Sequence, residues 1–214
     1  MDDRAFKEEL NRGARLLAQG SAQQAQAVFE RLFELHPDDV SVALNLSGAY
    51  ILNKQFKRAV PILEEVRARE PHNAMAWTNL GAALLGNPVL ATPEEQDTAI
   101  AAFERALDCD PVAPNVAYNM GLIYRDRDDA DRAIHWFTRA LQANPLDRDA
   151  ERILKRLRSD HRPPTTDHGP RRVTQFDRSS QWSVVCGLWS LRKRLKIRSA
   201  SQSSGLACNA RVNQ

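Results

Sequence analysis

The run Trp77-Thr78-Asn79-Leu80-Gly81-Ala82-Ala83-Leu84 decides the fold. Its apolar residues recur three and four positions apart, which gives a helix with one apolar face. Gly81 interrupts that helix, although glycine costs a helix interior about 1 kcal/mol relative to alanine. A small residue there makes sense if another segment comes close. Asn79, a mediocre helix former that is expensive to bury without partners, stands two residues earlier. The same pair recurs at Asn45 and Ser47, at Asn119 and Gly121, and more faintly at Asn11 and Gly13.

The chain therefore repeats itself, and prolines give the period. Pro37 to Pro71 is 34 residues, Pro71 to Pro111 is 40, and Pro111 to Pro145 is 34 again. Twelve residues before each proline stands an alanine: Ala25, Ala59, Ala99 and Ala133. Eight residues before it stands a bulky apolar residue: Phe29, Leu63, Phe103 and Phe137. Each small residue precedes a Leu or Tyr by three: Leu16, Tyr50, Leu84 and Tyr124. Each unit reads as two antiparallel amphipathic helices, with the small residue and the alanine allowing close approach. The proline turns the chain into the next unit. One hairpin cannot bury its apolar face alone, so the units stack into a solenoid.

This pattern closely resembles the tetratricopeptide repeat. The resemblance implies an all-α, right-handed solenoid of four helical hairpins: residues 6–39, 40–73, 74–113 and 114–147, after a lead-in at 1–5. Residues 148–159 follow as a capping helix, with Ala150, Ile153, Leu154 and Leu157 in one apolar stripe among charges. Glu9 departs from the family's early aromatic, and Leu32 and Val66 from a later alanine. The third unit carries six extra residues, placed in its hairpin loop. Thr92-Pro93-Glu94-Glu95 then starts the next helix: a Thr cap, Pro in the first turn, Glu three residues on. A tolerated insertion is the simpler account of the loop, a dedicated binding loop the alternative.

The net charge of +3 hides two unlike pieces. Residues 160–214 hold ten Lys/Arg against Asp160, Asp167 and Asp177, a net +7, whereas residues 1–159 sum to −4. His161 to Pro170 reads as a linker. Beyond it, the basic residues of 182–198 fall among the apolar ones instead of opposite them, unlike a membrane-surface helix. Disorder is the expectation for 160–214. Charge-driven contact with an anionic membrane or nucleic acid stays open, as does a shifted reading frame.

The charged N-terminus has no secretory h-region, and no run approaches the ~18 apolar residues of a membrane span. Cys109, Cys186 and Cys208 lack disulfide or zinc spacing, and a reducing cytoplasm is the default location. No phosphate-binding, dinucleotide, metalloprotease or nucleophile-elbow motif is present. His36 and His72 read as solvent-exposed turn residues, His135 as surface, and Cys109 as a small semi-buried residue. No catalytic residue, metal site or cofactor is assigned, and a non-enzymatic protein is expected.

What remains is binding. In the tetratricopeptide arrangement the first helices line the concave face. Asn11, Asn45, Asn79 and Asn119 would then form a ladder of carboxamides holding the backbone of an extended peptide. Leu44, Thr78, Tyr118, Gly48 and Ala82 surround it with a small, mostly uncharged trough that favours a neutral or apolar segment. The carboxylate clamp of chaperone-binding relatives is incomplete: Asn45 matches its middle element, but Leu10, Ala14, Met75 and Asn79 replace both flanks. Acidic C-termini should therefore not be selected. The alternative is an adaptor whose basic tail makes the decisive contact, with the solenoid as spacer.

Overall fold

The computed structural model describes residues 2–161. Among them are nine helices and no strand. They are α1 (Asp3–Ala18), α2 (Ala22–Leu35), α3 (Val40–Leu52), α4 (Phe56–Arg69), α5 (Ala74–Leu85), α6 (Pro93–Cys109), α7 (Val116–Asp126), α8 (Ala130–Ala143) and α9 (Arg148–Asp160). The architecture is an all-α solenoid of hairpins closed by α9. The disorder and the membrane or nucleic-acid contacts expected of the tail fall, from Arg162 onward, outside the described residues.

Each helix packs on the next in the chain, and α1–α3 and α3–α5 also touch. The first helices of the first three units therefore lie side by side along the stack. In the first, third and fourth units the glycine of the first helix meets the phenylalanine of the second. A Cβ built on Gly81 would lie 2.7 Å from the Phe103 ring, and one on Gly13 2.5 Å from Phe29. Phe29, Phe103, Phe137 and Leu63 have no exposed surface, nor do Ala25, Ala59, Ala99 and Ala133. The periodic alanines and bulky residues are thus the core.

Caps set most helix starts. Asp39 and Asn73 accept from the first-turn N–H groups of α3 and α5, and Asp147 does so for α9. Thr92 and Glu95 form a capping box on α6, which has 17 residues where α4 and α8 have 14. The residue of the fourth unit that corresponds to these caps is Ala113, which has no acceptor side chain. There α7 begins two residues late, after Pro114 and a left-handed Asn115 (φ 65°). The α6–α7 interface is the thinnest between consecutive helices. Arg127 spans it, donating to Gln96 and Asp97, each at 2.7 Å.

Candidate functional site

The four asparagines lie at one register of α1, α3, α5 and α7, yet their surroundings differ. Asn11 is exposed and Asn45 half-buried, while Asn79 and Asn119 are buried, at 4% and 1% exposure. Asn45 Nδ2 donates to Ser41 O one turn back in its own helix, at 2.7 Å. Asn79 Nδ2 reaches the neighbouring unit, 3.5 Å from Leu44 O. Asn119 Nδ2 is buried and has no hydrogen-bond partner among the described residues. A buried donor left unmatched costs free energy, of order 1–3 kcal/mol.

Around this row, Leu44 is half-buried, and Thr78, Ala82, Gly48 and Tyr118 are buried. Thr78 Oγ1 donates to Ala74 O at 2.8 Å and is spent within its helix. The Tyr118 ring stands edge-on to Phe137 at 5.6 Å. Burial, helped by the charges of Asp149 and Asp147, pushes its phenol up to about 12. Tyr50 is also pushed up to about 12, by burial and by its bond to Glu30. Farther along α7, Arg125 pairs with Asp126 at 2.7 Å, and burial holds the Asp126 carboxyl above its usual range.

The two phenols give a pH prediction. Unfolded, they ionise near pH 10; folded, they hold their protons to about 12. The stability they contribute is complete below pH 10 and is lost as pH rises toward 12. Replacing both with Phe should flatten the alkaline fall in urea midpoint between those limits, and an unchanged slope would refute it.

One expectation is corrected. His36 is not a solvent-exposed turn residue. It is half-buried, its ring packs edge-on against Phe6 at 4.7 Å, and its Nε2 is buried without a partner. His72 is exposed, His135 is exposed beside Trp136, and Cys109 is half-buried and outside any disulfide. No group of three or more His, Cys, Asp and Glu among the described residues could hold a metal ion. None of the described helices is long and apolar enough to cross a membrane.

Comparison with known proteins agrees with this architecture. No curated protein matches the sequence. Among solved structures the chain is similar to TTC0263, a thermophilic tetratricopeptide repeat protein of Thermus thermophilus. That likeness has a TM-score of 0.64 at 19% identity, over 72% of this chain and 82% of the other. It is also similar to MamA of Desulfovibrio magneticus RS-1, with a TM-score of 0.51 at 26% identity, over 67% and 77%. YrrB, a tetratricopeptide repeat protein with an unusual peptide-binding site, aligns with a TM-score of 0.52 at 18% identity, over 72% and 76%. Residues 16–84 and 96–148, together more than half of the sequence, match two descriptions of the tetratricopeptide repeat. With the period, the hairpins and the small-to-aromatic contacts, these matches make the chain a member of the tetratricopeptide repeat family and a protein-interaction scaffold.

Proposed function

We propose that the chain is a non-catalytic cytoplasmic scaffold that holds an extended, neutral or apolar peptide segment in the groove of α1, α3, α5 and α7. What supports this is the row of four carboxamides at one register of α1, α3, α5 and α7, with Asn119 Nδ2 still unmatched. A carboxamide can both donate to and accept from a peptide unit, so it grips backbone without regard to side chain. Leu44, Thr78 and Tyr118 carry no charge that would select a charged ligand. With Leu10, Ala14 and Met75 where a clamp would need polar or basic groups, an acidic C-terminus has little to hold it.

The test is affinity for the segment recovered by pull-down from the source cell. Each amide contact is worth roughly 0.5–1.5 kcal/mol net. The Asn45→Ala, Asn79→Ala chain should therefore bind it about five- to a hundred-fold more weakly by calorimetry, with its helical circular dichroism intact. If the variant binds as wild type, or merely melts earlier, the row serves packing alone; the Asn79–Leu44 contact would then be its purpose.

A further inference from the structure

The repeat supplies its own control, because three units place the same positions around one pit. The pit lies between the start of a first helix and the end of the second helix of that unit. In the second unit these positions are Ala43, Val66 and Arg69. Arg69 bridges to Asp38 on the opposite lip at 2.8 Å, and a cavity of only about 10 Å³ remains. In the third unit they are Trp77, Ala106 and Cys109. There the Trp77 indole occupies the place: its Nε1 donates to Pro71 O at 2.8 Å, and Arg67 and Arg105 lie 5.2 and 5.8 Å from its ring.

In the fourth unit the same positions are Ala117, Ala140 and Ala143, small all three, and Val112 stands where Asp38 did. Neither a ring nor an ion pair fills the pit. A cavity of about 310 Å³ is left, with Val112, Pro114, Asn115 and Tyr118 among its walls. Two further features set it apart. Asn115 Nδ2 is buried without a hydrogen-bond partner. The residues that follow the two flanking prolines are apolar and exposed, Val112 at 71% and Leu146 at 86%; in the earlier turns they are Asp38 and His72.

We propose that this pocket receives an aromatic side chain, of indole type, from the neutral or apolar peptide held in the groove, whose backbone carbonyl accepts from Asn115 Nδ2. The proposal rests on the groove reading above. Tyr118 belongs both to the trough and to the pocket wall, so a peptide lying along the row passes the pocket mouth. Size favours a ring: an apolar cavity of about 150 Å³ takes benzene, and this one is larger. The neighbouring unit shows which ring, since its own indole fills the corresponding space. Charge sets the rest. Asp147 is the charged residue among the pocket's walls, which disfavours an acidic side chain and suits a neutral one.

The test uses the full chain with alanine methyls labelled for NMR and N-acetyl-tryptophanamide as probe. Saturable shifts are expected at Ala117, Ala140 and Ala143, and none with N-acetyl-aspartate amide. The response should vanish in Ala117→Trp, which supplies the ring found in the third unit. It should also vanish in the Val112→Asp, Ala143→Arg chain, which rebuilds the ion pair of the second. Silent methyls in the wild type, or shifts that survive in both variants, overturn the proposal. So does a wild type that is silent until Trp182 and Trp189 are replaced, because the chain's own tail then fills the pocket. The Asn45→Ala, Asn79→Ala chain separates the two ideas: it should still bind the probe while losing the peptide. A probe bound normally by a chain whose peptide affinity never changed would sink the groove reading instead.

Discussion

The Phe103→Ala chain is expected to lose about 3–5 kcal/mol of stability. The ring is wholly buried, and its partner across the hairpin is Gly81, which has no side chain to move into the void. Helix backbones already held close by that glycine have little room to collapse further. The cost therefore lies at the upper end for a ring removed from a core. It is a large share of the 5–15 kcal/mol typical of a whole domain. Urea unfolding followed by circular dichroism measures it. A loss under about 1 kcal/mol, the average for any substitution, would show that Phe103 is not the pin of its hairpin.

The second large effect is expected at the end of the stack. Leu154 of α9 is 5% exposed and Ala150 wholly buried, and α9 packs on α8. A carboxylate at Leu154 would be stripped of water with no partner, at several kcal/mol. A 13-residue helix docked by one stripe of small and aliphatic residues gives back less than that. In Leu154→Asp, α9 should leave α8, uncovering apolar surface of the fourth unit. Light scattering should report self-association, and a protease should cleave at Arg152 or Lys155 while wild type resists. The half-buried Leu157, changed in the same way, should do less. Equal behaviour of Leu154→Asp and wild type would show that the cap is dispensable.

Much of this was legible in the sequence because it is periodic. Prolines, alanines and aromatic residues at fixed offsets are local consequences of one hairpin geometry repeated, and each repetition confirms the last. The misreading of His36 has the opposite character. Its neighbours in sequence are turn residues, but what buries it is Phe6, a full helical hairpin away in the chain. The asparagine row was legible as a register and not as an environment. Whether a carboxamide faces water or a neighbour depends on what the adjoining unit presents: Asn11 is exposed, whereas Asn79 reaches Leu44. The fourth-unit pocket was missed for another reason. Its signal is three ordinary alanines, informative only when Ala117, Ala140 and Ala143 are set against Trp77 in one sister unit and Val66 and Arg69 in another.

The late start of α7 and the thin α6–α7 interface bear on how the molecule melts. In a linear array, cooperativity extends only as far as the coupling between neighbours is strong. Weak coupling at one step lets α1–α6 and α7–α9 open as separate blocks, each with its own protection against hydrogen exchange. A peptide lying across both blocks would join them. Its arrival would then be visible without any change of shape, as two unfolding transitions merging into one.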